Sequence, residues 1–331
     1  MRMTRKRILF VTPWDGSSFI EQDLDILRKH FVVSKAIFNV RRLPSLLIAI
    51  LSRKVDGVFL WFAFWWAAPI VLASKAAGVK TVMIAGGVDF ANCPEIDFGH
   101  MRSLAERIMV KFVISHSNLV LPVSLFTKKE MLRYTRPKKM KVVYNGINLE
   151  KFRPSESASR ENLVITVGAV NEMNMKVKRF DLFVESARYL PEVKFVLIGS
   201  HLNGSIKYLR SIAPPNVEFP GFVTLQELIK YYSRAKVYAQ LSHHEGFGCA
   251  LAEAMACECV PVVVNRAAMP EVVGNIGLYA PYNDPRGIAE TIKEALGSDK
   301  GSMARERISK FFPLERRENK LLHALIEVLN H

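Results

Sequence analysis

The sequence predicts an α/β protein of two doubly wound parallel sheets. Three observations predict it. Short apolar runs alternate with helical patterns from residue 7 to residue 296. A polar stretch at residues 149–161, LEKFRPSESASRE, divides the alternation into two sets. At 331 residues and 50% hydrophobic, the chain is long enough for about two domains, each with its own core. This composition excludes disordered, collagen-like and disulfide-scaffold classes. Two such domains facing each other leave a cleft between their strand ends, a favoured place for a small-molecule site.

The elements follow in order. Residues 7–12 (RILFVT) read as the first strand, and the turn Pro13-Trp14-Asp15-Gly16-Ser17-Ser18 leads into a helix near 19–30. A strand tip feeding such a turn is suited to an anion or a sugar. Residues 31–38 read as a strand, 43–52 as a helix, VFLWFA as a strand, and the stretch from about Pro69 to 77 as a helix. Strand 80–87 ends in Gly86-Gly87-Val88-Asp89, where Asp89 either binds hydroxyls or caps a tight turn. A helix at about 101–114, a strand at 118–124, a basic helix at 126–135 and a strand at 142–148 complete the first set. The second set runs from strand 162–168 through helix 180–190, strand 194–199, a helix around 204–211, strand 216–221 and helix 225–235. The stretch 237–273 follows, read as strand, turn, helix, strand and loop, then strand 277–280, helix 285–296 and helices through 302–330. The expected domains are 1–150, 151–315, and a C-terminal helix 316–331 returning toward the first.

The four cysteines, at 93, 249, 257 and 259, show neither CxxC spacing nor a framework, and suit a reducing compartment. Cys257 and Cys259 read as small buried residues where helix meets strand. The net charge of +15 is unevenly spread: residues 1–150 hold 23 Lys and Arg against 11 Asp and Glu. That basic half implies an acidic partner, such as an anionic lipid surface or a phosphorylated acceptor. No RNA-binding aromatic motif, helix-turn-helix or zinc-finger spacing accompanies it, so nucleic acid is not expected. Met1 to Arg7 is basic, but the apolar run at 8–12 is too short for a secretory leader, and none is expected. Residues 57–74 form an uncharged stretch near the minimum for a membrane span. It reads instead as a buried strand passing into a helix, with an aromatic lip that could touch a membrane surface.

The chemistry concentrates in 237–273. Glu245 opens the turn Gly246-Phe247-Gly248, and Glu253 follows eight positions later on the helix beginning near Cys249. Glycine-freed backbone N–H groups and the helix dipole suit a phosphate or sugar hydroxyl. Leu251 stands where the dinucleotide fingerprint requires glycine, which argues against a nicotinamide enzyme. Paired carboxylates grip diols through charge-assisted hydrogen bonds; as surface groups they would be a helix N-terminal charge and a solvated side chain. His243-His244 before Glu245 raises a metal reading, which the acids do not need.

This stretch, Glu245-GFGCALA-Glu253 followed by AMAC and Pro270-Glu271-Val-Val-Gly, resembles the retaining GT-B glycosyltransferases of the large E-x7-E family, family 4. VGAVNEMNMKVKRFDLFVESARYLPEVKFVLIG (167–199) is similar to the family's donor-phosphate loop, YNGINLEKFRP (144–154) to its interdomain segment, and GGVDFANCPEIDFG (86–99) to the acceptor-domain turn of some members. The resemblance covers most of the chain. It implies two Rossmann-like domains and transfer of a sugar from a nucleoside diphosphate donor, UDP- or GDP-linked, with retention and with neither cofactor nor obligatory metal. It places Glu253 on the donor ribose, Glu245 on the transferred sugar, and the backbone of Gly246, Phe247, Gly248 and Cys249 on sugar or diphosphate. Lys178, with Arg179 beside it and Gly168 before it, would neutralise the leaving diphosphate. Asp15, Gly16, Ser17, Ser18 and Asp89 form the acceptor side. The acceptor is expected to be a glycan or a lipid-linked molecule, and the protein cytoplasmic, with peripheral contact to the membrane. Ala169 stands where the family often has arginine, and Glu258 and Ala267-Ala268-Met269 replace expected glycines. Trp61 and Phe62 occupy the strand end where many members carry a histidine; His100 and His116 are structural in this reading. The competing readings are a nucleotide-sugar epimerase or hydrolase of the same fold, and a non-catalytic nucleotide-sugar binder.

Overall fold

The computed structural model describes residues 5–155 and 159–330. Residues 1–4 of the basic N-terminus and 156–158 of the expected linker lie outside the described residues. The chain divides into two compact units, residues 1–145 with 315–331, and residues 146–314.

The first unit holds β1 (Arg7–Thr12), α1 (Ser18–His30), β2 (Val32–Ile37), α2 (Leu43–Leu51), β3 (Gly57–Trp61), α3 (Ala67–Ala77), β4 (Lys80–Ala85), α4 (Leu104–His116), β5 (Leu119–Pro122) and α5 (Leu125–Tyr134). Its five strands are parallel in the order β2-β1-β3-β4-β5. β3 is buried at every position, as a strand covered on both faces must be. Each step from β2 to β3, β4 and β5 moves the same way across the sheet, so the right-handed crossover rule puts α2, α3 and α4 on one face and α1 on the other. Ser103 and Ser124 cap α4 and α5 by accepting from the N–H groups of Glu106 and Thr127.

The second unit holds β6 (Glu161–Val167), α6 (Glu172–Lys178), α7 (Phe180–Ser186), β7 (Lys194–Ile198), α8 (Ser205–Ile212), β8 (Val217–Gly221), α9 (Leu225–Arg234), β9 (Ala235–Gln240), α10 (Cys249–Ala256), β10 (Val260–Val264), α11 (Met269–Val273), β11 (Leu278–Ala280), α12 (Pro285–Leu296) and α13 (Gly301–Phe311). Its six strands are parallel in the order β11-β10-β9-β6-β7-β8. Counted from β6, that is the 3-2-1-4-5-6 order of dinucleotide-binding folds, read from the far edge. A reciprocal capping box between Thr224 and Glu227 starts α9, and Asp284 caps α12.

The last helix, α14 (Leu314–Asn330), packs in the first unit beyond its first residue. Arg317 fixes it there. Its guanidinium is 1% exposed, pairs with Asp23 of α1 at 2.6 and 2.7 Å, and donates to the carbonyls of Val143 and Tyr144. That capture explains why the apolar run 142–148 is not a strand: two of its carbonyls go to a side chain from the far end of the chain. Residues 146–155 pack with the second unit, where Ile147 exchanges backbone hydrogen bonds with Phe312 and Leu314, and Arg305 holds the carbonyls of Leu149 and Phe152.

Most of the aromatic run around the end of β3 is buried. Trp61, Phe62, Phe64 and Trp66 are buried. Phe62 stacks on Phe64 at 5.3 Å, Phe38 covers Trp66 at 5.0 Å, and a side chain at Gly86 would collide with the Phe62 ring. Trp14 and Trp65 remain half exposed. Among the described residues no helix is long and apolar enough to cross a membrane.

Candidate active site

In a doubly wound sheet the ligand crevice lies beyond the strand carboxyl ends, where the strand order reverses. In the second unit that point falls between β6 and β9. Gly168 follows β6; Gln240 ends β9 and the segment Ser242 to Glu245 follows it. The loop after β6 returns through α6, whose last residue is Lys178. The lysine stem lies against the backbone of Gly168: a Cβ there would sit 2.8 Å from Lys178 Cδ and 3.0 Å from the Phe180 ring. The His243 N–H donates to the Val177 carbonyl at 2.7 Å, clamping the two loops together.

These constraints bring Lys178 Nζ 3.2 Å from Glu245 Oε2, with both side chains about one-fifth exposed (22% each). Gln240 Nε2 donates to the same oxygen at 2.8 Å and to Ser242 Oγ at 3.1 Å. The sequence-expected pair therefore meets in space although 67 positions separate its members. An ammonium has three donors, and one suffices for Glu245.

Gly248, at φ +95°, turns the chain into α10 and brings the turn backbone close under Glu245. Phe247 is buried, its ring edge-on to Phe312 at 5.3 Å, so its side chain anchors the turn. Glu253 sits on α10 in a mostly enclosed position, where Tyr232 Oη donates to its carboxyl at 3.4 Å. Burial pushes that carboxyl up to about 7, against the opposing pull of the Tyr232 hydrogen bond and Lys151. It is therefore not a freely solvated surface acid. Cys257 and Cys259 are buried as expected, and burial pushes the Cys259 thiol up to about 12.

Arg179 is placed differently from its expected role beside Lys178. It adopts a left-handed backbone conformation (φ +53°) between α6 and α7. Its guanidinium pairs with Asp181 at 2.9 Å and donates to Tyr282 Oη at 3.1 Å and to Asn283. The sequence reading missed the cluster it joins. Arg266, just after β10, lies 4.6 Å over the Tyr282 ring and 3.1 Å from His243 Nε2, while His243 Nδ1 meets Tyr282 Oη at 2.6 Å. A guanidinium has donors only, so His243 Nε2 accepts and Nδ1 carries the proton toward Tyr282. His243 thus has a partner at each ring nitrogen.

In the first unit the corresponding reversal lies between β1 and β3, and the turn after β1 occupies it. Asp15, Gly16 and Ser18 are exposed there, with Gly16 at φ +80°. Trp14 Nε1 donates to Ser17 Oγ at 2.8 Å, and Lys35 bonds both Asp15 and Glu21, holding the Asp15 carboxyl below its usual range. Asp89 is not an exposed hydroxyl-binding group. It is fully buried, accepts from the N–H groups of Gly87 at 2.8 Å and Ala63 at 3.3 Å, and holds the turn; burial pushes its carboxyl up to about 6. His100 is tied to Glu106 at 2.7 Å and His116 to the Phe112 carbonyl at 2.9 Å, both structural contacts.

Comparison with known proteins bears on this geometry. Residues 148–311 match the family described as Glycosyl transferases group 1, and residues 6–151 match Glycosyltransferase Family 4. The chain belongs to glycosyltransferase family 4. Among relatives of this family, the D-inositol 3-phosphate glycosyltransferase of Mycolicibacterium gilvum is 25% identical over 272 residues, which is 73% of this chain and 57% of that protein. The N-acetylgalactosamine-N,N'-diacetylbacillosaminyl-diphospho-undecaprenol 4-alpha-N-acetylgalactosaminyltransferase of Campylobacter jejuni is 24% identical over 248 residues, 70% of this chain and 65% of that protein. The chain thus spans less than two thirds of the length of these curated relatives. Among solved structures, Anabaena HepE in complex with UDP and glucose superposes with a TM-score of 0.79 at 17% identity, covering 97% of this chain and 99% of HepE. The sucrose-phosphate synthase of Thermosynechococcus elongatus gives 0.80 at 15% identity, covering 98% of this chain and all of that one. The fold is therefore GT-B, with two Rossmann-like parallel-sheet domains.

Proposed function

We propose that the protein transfers a sugar from a nucleoside diphosphate sugar to a glycan or lipid-linked acceptor, with retention of configuration at the anomeric carbon. The observation that carries this reading is the Lys178–Glu245 pair, 3.2 Å apart at the strand-order reversal of a doubly wound sheet, with Glu253 on the helix that follows. Glu253 grips the donor ribose diol, and Glu245 takes hydroxyls of the transferred sugar. The Gly246–Cys249 turn, at the positive end of α10, lies by the diphosphate. As the glycosidic bond breaks, negative charge grows on the leaving diphosphate, and the Lys178 ammonium stabilises it in place, with no metal required. Gln240 orients Glu245 from the opposite side. On the acceptor side, Asp15 to Ser18 offer exposed polar groups, and Asp89 positions the β4 turn instead of touching the acceptor.

The relatives support the substrate class. HepE is described with UDP and glucose, and the Campylobacter enzyme's name specifies a diphospho-undecaprenol acceptor. A lipid-linked acceptor fits the basic first 150 residues and places the protein at the cytoplasmic face of a membrane.

A donor screen tests the reading. The purified chain is incubated with UDP- and GDP-sugars, with and without EDTA, and release of the nucleoside diphosphate is followed. The reading expects slow, chelator-insensitive hydrolysis of one donor, faster when an acceptor is supplied. Donor binding without turnover under any acceptor favours a binding protein. Interconversion of free sugar epimers favours an epimerase.

A further inference from the structure

We propose that the face formed by α2, α3 and α4 of the first unit docks on the surface of an anionic lipid bilayer. The inference deepens the membrane part of the reading above and does not depend on the identity of the donor. α2 is LPSLLIAIL, apolar at nearly every position, yet it buries only Leu46 and Ile50 fully. Ile48 and Leu51 on α2, Leu72 on α3, Leu104 and Ile108 on α4, and Trp65 just before α3 are each more than half exposed. α2 packs on α3 and α3 on α4, so these side chains gather on three neighbouring helices. Large apolar side chains left exposed on adjoining helices point to an interaction surface.

Its charge selects the occupant. Arg41 and Arg42 precede α2, Lys54 follows it, Lys75 lies on α3 and Lys111 on α4, all exposed. No acid occurs on α2 or α3, and the acid of α4, Glu106, is tied to His100. A second copy of the chain would bring the same cations against these. An anionic bilayer uses both features: headgroups meet the cations while the apolar side chains enter the acyl boundary. The nine-residue α2 is far too short to span, so contact is superficial. In parallel α/β units the helices begin where the preceding strands end, so Trp65 and Arg41 lie toward the end of the sheet that carries the Asp15–Ser18 turn. A lipid-linked acceptor would arrive from the bilayer at that rim.

Vesicle flotation of the full chain tests this. Vesicles of phosphatidylcholine alone are compared with vesicles that also contain phosphatidylglycerol, at low and high salt. The proposal expects binding to the anionic vesicles that weakens with salt. A triple variant, Ile48→Glu with Leu51→Glu and Ile108→Glu, should lose binding. Arg41→Gln with Arg42→Gln should weaken it about thirty-fold, on the basis of the usual gain per cation near an anionic surface. Tyr208→Glu with Met303→Glu, exposed positions of the second unit, should bind as the parent does. Donor hydrolysis and far-UV circular dichroism report whether each variant is folded. If the parent ignores anionic vesicles, both this surface and the membrane part of the reading fall, while donor turnover stands independently. If the face variants bind undiminished, the membrane reading survives and this face is wrong. A dimer that the triple variant dissolves, with no vesicle binding, overturns the proposal in favour of a protein interface.

Discussion

Replacing Glu253 by glutamine separates the role of this residue in binding from its cost to the fold. Burial raises the carboxyl from 4.5 to about 7, so the folded protein holds a proton that the unfolded chain has released. Below about pH 4.5 both states are protonated and the acid carries no penalty. Between pH 4.5 and 7 the unfolded state alone ionises, and the penalty grows with pH. Above pH 7 it is constant at about 3–4 kcal/mol, the rise from 4.5 to about 7 taken at ~1.4 kcal/mol per pH unit, and remaining solvent contact lowers it. Glutamine keeps the acceptor for Tyr232 and removes the ionisation. Urea unfolding across pH 4 to 8 should show Glu253→Gln equal to the parent at the acid end and up to ~3 kcal/mol more stable at pH 8. Donor affinity should fall roughly ten-fold at pH 8, because a charge-assisted grip on the ribose is lost. A stability difference of the same size at every pH would refute the account of the buried carboxyl.

Other substitutions test the scaffold. Gly168→Ala would place a methyl against the Lys178 stem and the Phe180 ring; turnover should drop roughly 10- to 100-fold with less than ~2 kcal/mol lost in unfolding assays. Asp89→Asn leaves one acceptor for two buried N–H groups, and calorimetry should show a loss of about 1–3 kcal/mol with the acceptor KM little changed. Arg317→Met strands the buried Asp23, which should cost about 3–5 kcal/mol, and combining it with Asp23→Leu should restore much of that loss.

Much of the fold was legible because alternation of short apolar runs with helices is a local signal. The site was legible where it is local too: Glu245, the glycine turn and Glu253 lie within nine residues. Lys178 was readable only through the resemblance, since its meeting with Glu245 depends on the pairing of β6 with β9. The Arg266–Tyr282–His243 cluster left no local trace, as its members come from three separate loops. Gln240 did leave one, a polar residue closing an otherwise buried strand. The strand expected at 142–148 failed because Arg317 claims its carbonyls. Most of the aromatic run is closed over by Phe38 and Gly86, which leaves Trp65 exposed; apolar composition does not tell a buried rim from an exposed one.

The account rests on Lys178 and Glu245 acting together on a bound donor. Single-turnover cleavage of the donor found in the screen tests this directly, in the parent, Lys178→Ala, Glu245→Ala and the double variant. The predicted result is a loss of at least a hundredfold in each single variant, with donor affinity reduced far less, and a double variant little worse than either single. Cleavage near the parent rate in Lys178→Ala would contradict the assignment of this pair as the catalytic centre.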